Sequence, residues 1–249
     1  MNYDGNLGGM DCELAELRLL HLADSALPIG GLAHSFGLES LVAAELVSVG
    51  ELPEFLRGFL EEGGFLEAVF CREGFRLGSR SRVGEHLEDR LESFARGWLA
   101  LNERLSAMKP ARESRSGSAS LGRNFLAAVG GLGDFAAVRE ALRVSKDAGG
   151  LIHHSVAFGL GSGALEFEED RAVLAFLHSC VASLVSACQR LLPLGQNAAT
   201  RILWELKPVI VETMRRSIGC SVEDAWCFMP LLDWGGMEHP ALATRLFIS

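Results

Sequence analysis

The sequence predicts an all-α fold, a single domain of roughly ten helices with no sheet. Three observations lead there. Apolar residues recur at spacings of three and four along most of the 249 residues. The strict alternation that marks a half-buried strand is nearly absent. Several prolines and glycine pairs fall between the periodic runs, where they separate one helix from the next.

The elements follow in order. Residues 1–10 are expected to be disordered. Leu14 to Ala23 reads as a first helix with Leu14, Leu17 and Leu20 on one face. A second begins near His34, runs through Leu38, Leu41, Val42 and Leu46, and ends before Gly50. Pro53 suits the first turn of a third, with Phe55, Leu56, Phe59 and Leu60 inward. Gly63 and Gly64 interrupt it, and the pattern resumes through Leu66, Val69 and Phe70. Glu85 to Ser106 is a charged amphipathic helix that carries Leu87, Leu91, Phe94, Trp98, Leu101 and Leu105 at spacings of three and four, and Pro110 ends it. Composition alone makes Arg112 to Ser120 a flexible Ser/Arg loop. Leu121 to Val129 is helical up to Gly130-Gly131, and Asp134 caps a short helix through Val138 and Leu142.

Leu151 to Leu165 is apolar but rich in glycine. No strand precedes Gly159, Gly161 and Gly163, so a phosphate loop is set aside in favour of glycines that let two helices approach closely. Glu168, Glu169 and Asp170 suit the N-terminus of the next helix through its dipole. That helix is expected to bury Val173, Leu174, Leu177, Val181, Leu184 and Leu191, and a second stripe of Ser179, Ser183, Ser186 and Arg190 permits close helix contact. Pro193 breaks the pattern. Gly195 to Glu205 and Lys207 to Arg216 are two more helices. Ser221 and Asp224 have the spacing of a capping box. From Pro230 the chain is turn-rich, and residues 230–249 read as a C-terminal tail that docks, because Leu246-Phe247-Ile248 is too apolar to be left in water.

Composition narrows the function. A net charge of −9 argues against nucleic acid as a partner, since phosphate binding needs a basic surface. The six cysteines are scattered without a C-x-x-C pair, and no leader precedes the first helix, so a cytoplasmic, reducing setting is expected. Ala172 to Gln189 lacks charge and approaches spanning length. It is read as a buried helix rather than a membrane span, because Ser179, Ser183, Ser186 and His178 would each need a partner in lipid.

Little in the chain points to chemistry. His34-Ser35 and His153-His154-Ser155 are the His–Ser neighbours, and adjacency in sequence is not triad geometry. The expectation is a protein without catalytic residues. His153 with His154, and His178 with Cys180, diverge on a helix, so no metal site is expected. Ser25 is most simply a capping residue at a helix terminus. Glu39 is expected on an exposed helical turn, where its charge would meet a basic residue of a partner.

One segment is too specific for a linker. Asp24, Ser25, Leu27, Pro28, Gly30, Gly31, Leu32, His34, Ser35, Gly37, Leu38 and Glu39 resemble the signature D-S-x-L-P-x-G-G-[FL]-x-[HY]-S-x-G-L-E of the UreF family of urease accessory proteins. Arg112-Glu113-Ser114-Arg115, Ser118, Gly122 and Arg123 resemble that family's R-E-x-R-x-x-S-x-x-x-G-R helix. This turns the apparent loop into a helix, with Gly117 as a departure that weakens it by about 1 kcal/mol relative to alanine. Leu192-Pro193-Leu194-Gly195-Gln196, preceded by Arg190, resembles the family's V-P-L-G-Q junction. The ending, from Pro230-Leu231-Leu232-Asp233 through Met237 and His239 to Arg245-Leu246-Phe247-Ile248-Ser249, is similar as well.

The resemblance implies an all-helical, cytosolic homodimer. It would bridge a UreD-type (also called UreH) scaffold and the UreG-type GTPase during nickel insertion into apo-urease, and modulate the GTPase. Nickel would then be handled by the complex and not held as a cofactor. The candidate partner-facing residues are Glu39, His34, Ser35, Arg112, Arg115, Arg123, Arg190, Gln196, His239, Arg245, Leu246 and Phe247. Ser25, Pro28, Gly30, Gly31, Gly37, Pro193 and Gly195 would shape the motifs. The alternative is a helical protein-binding scaffold of the same fold without a urease role.

Overall fold

A computed structural model of the chain describes residues 7–80 and 87–249. Residues 1–6, part of the stretch expected to be disordered, and 81–86, where the fifth helix was expected to begin, lie outside the described residues. Those described form α-helices with a few short 3-10 and π turns, connected otherwise by irregular loops, with no strand among them. The helices are α1 (Leu7–Leu22), α2 (Leu38–Ala43), α3 (Leu52–Phe59), α4 (Phe65–Arg80), α5 (Leu87–Ala107) and α6 (Arg112–Gly130). They continue as α7 (Ala136–Ala148), α8 (His154–Ala164), α9 (Glu169–Leu191), α10 (Gln196–Glu205), α11 (Lys207–Arg216) and α12 (Pro230–Glu238). The all-helical expectation is met.

The centre of the fold is the α4–α8 pair. Gly74 and Gly78 on α4 face the carbonyls of Val156 and Leu160, and Gly159 and Gly163 on α8 face those of Cys71 and Phe75. A methyl group at any of the four would collide with backbone. The glycine run therefore permits backbone-to-backbone contact, as its composition suggests. Gly122 repeats the arrangement where α6 crosses the Ile152 carbonyl. Around this pair Phe125, Phe158 and Phe176 form one aromatic cluster, with ring centroids 5.0 and 5.4 Å apart. Trp98 is fully buried and donates its indole N–H to Ser145 Oγ at 2.7 Å.

Helix α9 packs against α4, α8, α10 and α11. Among the described residues it is the one helix long and apolar enough to cross a membrane, and half of its apolar window is buried inside the protein. Glu168 caps it, accepting from the amides of Asp170 and Arg171 at 3.0 and 2.9 Å. The buried Arg72 ties three elements together. It donates to Ser217 Oγ and the Met214 carbonyl at the end of α11 and pairs with Asp170 at 2.6 Å.

Several sequence expectations need correction. The second helix does not start near His34: Phe36 and Gly37 have φ of +51° and +95°, which no right-handed helix accommodates, so α2 starts at Leu38. Gly37 also sits so close to the Leu232 carbonyl and the Gly236 amide that a Cβ would lie 2.7 and 2.8 Å from them. Gly63-Gly64 do not break the third helix but widen it into a π turn, Leu60–Gly64, that runs on into α4. On α1, Leu14, Leu17 and Leu20 point outward while Leu19 and Leu22 are buried. Ser221 and Asp224 close a turn, not a helix, with both Ser221 N and Oγ donating to the Asp224 carboxylate. Arg112 to Ser120 is helical, as the family resemblance implies and composition alone does not.

Candidate functional site

The most elaborated site is where residues 239–249 meet the Gly30–Glu39 segment. Gly30 (φ +86°) and Gly37 (φ +95°) turn the chain so that the residues between them present their backbone to the tail. Ile248 N donates to the Ala33 carbonyl at 2.8 Å, and the amides of Ser35 and Phe36 donate to the Ser249 carbonyl at 2.5 and 3.1 Å. Ser35 Oγ donates to the same carbonyl at 3.0 Å. His34 Nδ1 and Ser249 Oγ share a hydrogen at 2.7 Å. Burial pushes His34 below its ordinary value while the Glu113 carboxylate pulls the other way. Gly117 makes the space: a Cβ there would lie 2.7 Å from Ser249 Oγ and 3.0 Å from His34 Nδ1. The departure from the family pattern that looked merely destabilising is thus the floor of the docking site.

Beside this lies a charged network. One Glu39 oxygen accepts from Leu246 N at 2.6 Å, and the other from Phe247 N at 3.1 Å and His239 Nε2 at 2.9 Å. His239 Nδ1 reaches Glu113 at 2.6 Å, and Arg245 stands 3.9 Å from the same carboxylate. Arg190 donates to the Leu32 carbonyl at 2.8 Å and lies over the Phe247 ring at 4.3 Å. Three distant parts of the chain are joined here: the start of α2, the start of α6 and the tail.

This overturns the expected exposure of Glu39, which is 7% exposed because its carboxylate is spent on the tail's donors. His34, Ser35, His239 and Phe247 are buried for the same reason and make their contacts within the chain. Of the other candidates, Arg245 and Leu246 are exposed on the docked tail, and Arg190 is exposed next to it. Arg115 is turned inward, donating to the Lys109 and Pro110 carbonyls at 2.5 and 2.7 Å. Arg112, Arg123 and Gln196 are exposed and contribute none of the bonds just described. Ser25 and Pro28 are exposed in the turn after α1, where Asp24, not Ser25, accepts the Ala26 amide at 2.9 Å. Gly31 sits in a short 3-10 turn 4.0 Å below Ser183 Oγ, measured from where a Cβ would be. Pro193 is exposed between α9 and α10. Gly195 has an ordinary φ of −71° and open space around it, so its geometry does not demand glycine.

A cavity of about 390 Å³ lies behind the tail site, lined by α4, α6, α9, α12 and the turn after α1. Its walls are mostly apolar, with Glu67, Lys109, His154, Cys180, Cys227 and Asp233 among them. Glu67 and Lys109 form an ion pair. Burial works to raise the Glu67 carboxyl, and the Lys109 ammonium overrides it and holds the group below its ordinary value. Burial drives the Cys227 thiol up to about 11 and the Cys180 thiol higher still, so both stay protonated and unreactive. Glu67, Lys109 and Arg72 gave no signal in the sequence, since none belongs to a motif and their partners are far away in the chain. Among the described residues no group of His, Cys, Asp and Glu is arranged to hold a metal ion.

The histidine pair is structural. His153 bonds Ser106 Oγ at 2.7 Å and Ser118 Oγ at 3.1 Å, and His154 packs edge-on against Phe125, Phe158 and Phe176. Burial, opposed by Glu67, pushes both rings down from 6.5 to about 4. Unfolded, each ring takes a proton below its ordinary value; folded, it does not until about 4. The unfolded chain therefore binds more protons between those values, so stability is full above the window and drains as pH falls through it. The expected loss is on the order of 3 kcal/mol per ring, from about 1.4 kcal/mol for each pH unit. Urea midpoints measured between about pH 7 and pH 4.5 check this, and a flat profile contradicts it.

The fold is all-helical, its tail is docked internally, and His34 and His153 are hydrogen-bonded to serines distant in the chain. The family model for UreF matches residues 46–207. Proteins named urease accessory protein UreF align along nearly the whole chain. That of Corynebacterium glutamicum (strain R) is 31% identical over 94% of this chain and 98% of its own length. That of Bradyrhizobium sp. (strain ORS 278) is 32% identical over 95% and 93%, and that of Rhodopseudomonas palustris (strain BisA53) 30% over 93% and 92%. The chain belongs to the UreF family.

Proposed function

We propose that this protein is a urease maturation factor, a cytoplasmic adaptor that bridges a UreD/UreH-type scaffold and a UreG-type GTPase while nickel is inserted into apo-urease. It modulates the GTPase and works as a homodimer. Nickel is cargo of the assembled complex and not a resident cofactor, and neither nucleic acid nor a membrane is a partner. One observation carries the reading: similarity to proteins named urease accessory protein UreF, covering over nine-tenths of both chains. The docked tail adds a place for contact. It alternates, with Phe247 and Ser249 buried and Leu246 and Ile248 51% and 68% exposed beside Arg245 and Arg190. Apolar side chains rimmed by arginines suit a protein surface.

The test is capture of the scaffold-type and GTPase-type proteins by the full chain and by a variant lacking residues 245–249. The full chain is expected to hold both. The truncation is expected to lose them while its thermal midpoint drops by only a few degrees, because a tail segment contributes little of the core. A full chain that is folded, reduced and captures neither protein would refute the reading.

A further inference from the structure

We propose that His239 is a charge-dependent latch: its imidazolium, clamped between Glu39 and Glu113, keeps the 239–249 segment docked, and loss of its proton as pH rises lets the segment go. The argument starts from donors and acceptors. A carboxylate accepts hydrogen bonds and cannot donate them, whereas a neutral imidazole carries one N–H and one lone pair. Both ring nitrogens of His239 face carboxylate oxygens, Nε2 at 2.9 Å from Glu39 and Nδ1 at 2.6 Å from Glu113. Both contacts are satisfied together only when the ring donates from both nitrogens, that is, as the cation.

The ring is faced by charged groups from several elements. Glu39 faces it from α2 and Glu113 from α6, and the tail supplies Arg245, whose guanidinium is 3.9 Å from Glu113. His34 lies in the Gly30–Glu39 segment, and burial pushes it below its ordinary value. Two carboxylates, Glu39 buried and Glu113 partly buried, thus share one imidazolium and one more distant guanidinium. The ring itself is fully buried, so water does not take over a lost bond without a movement of the backbone.

Deprotonation leaves a lone pair against a carboxylate at hydrogen-bond distance, and that contact opens. The same Glu39 oxygens hold the amides of Leu246 and Phe247, so the opening passes directly to the tail. The device is a property of this chain alone and does not depend on which protein the tail meets.

The experiment uses the full chain. The His239 ring is titrated by NMR, and exchange of the Leu246 and Phe247 amides, corrected for its intrinsic pH dependence, is measured in parallel. Protection is expected to fall by roughly tenfold to a hundredfold with the midpoint of the ring, the scale of one charge-assisted hydrogen bond. Amides of the α4–α8 pair stay protected. In Glu113→Gln the side-chain amide donates to a neutral ring at Nδ1, which leaves the Nε2–H for Glu39, so protection is expected to be high and independent of pH. Protection that ignores the ring's titration, or a Glu113→Gln variant with the parent's pH dependence, would overturn the proposal. Neither result bears on whether urease maturation is the protein's role.

Discussion

Gly159→Ala is expected to cost about 3 kcal/mol or more and to lower the thermal midpoint by roughly 6–12 °C. The added methyl meets the Cys71 carbonyl and the Phe75 amide, which are backbone and cannot rotate away. Relief comes only by parting α4 from α8. That breaks the register at Gly74, Gly78 and Gly163, where helix lies on helix in the same way. Propensity pulls in the opposite direction, since alanine improves an isolated helix by up to about 1 kcal/mol over glycine. The measurement that separates the two effects pairs this variant with Gly58→Ala. Gly58 lies in α3 with no heavy atom within 4 Å of where its Cβ would be, so that change is expected to be neutral or stabilising. Equal midpoints for the two variants would show that the α4–α8 contact is looser than described.

The same glycines show what a sequence reveals of such a fold. The run Gly159, Gly161, Gly163 could be read as close helix packing because it is apolar and lacks the strand a phosphate loop needs. Its partners, Gly74 and Gly78, gave no signal, since single glycines in a helical pattern look like defects. Gly117 is the sharper case. Judged within its own helix it is a loss of about 1 kcal/mol, and its purpose is visible only once His34 and Ser249 arrive from opposite ends of the chain. Arg112 to Ser120 has a loop's composition because the apolar stripe of α6 is narrow there. Ala119 and Leu121 are buried, but Gly117 and Ser118 occupy the rest of that face.

Glu39 could not be placed from local pattern at all. It stands in the first turn of a helix that starts just after Gly37, where an acidic residue is ordinarily solvated and favoured by the dipole. The donors that bury it belong to Leu246, Phe247 and His239, some two hundred residues away. Long-range polar networks leave no periodicity. The acceptors and donors are each unremarkable in their own segment, and only the fold counts them together.

Glu39→Gln is expected to undock the tail. The substitution keeps the shape and removes the charge, yet an amide has one accepting oxygen and one donating nitrogen. In either orientation the nitrogen faces an N–H: the Leu246 amide on one side, or Phe247 and His239 on the other. The buried imidazolium also loses one of its two carboxylates. Removing one member of a buried charge pair costs about 3–5 kcal/mol, and here the strain has an outlet in the tail. Exchange protection at Leu246 and Phe247 is therefore expected to collapse, while the global midpoint falls less than in Gly159→Ala. Capture of the scaffold-type and GTPase-type proteins is expected to drop as far as in the chain lacking residues 245–249. Comparison with Glu113→Gln separates charge from position. Glu113 touches the ring but not the tail's amides, so its amide variant keeps the tail in place where that of Glu39 cannot. If both variants held the tail equally well, the Leu246 and Phe247 amides would need no carboxylate, and docking would rest on Phe247 against Arg190 and on the backbone pairing of Ile248 and Ser249 with residues 33–36.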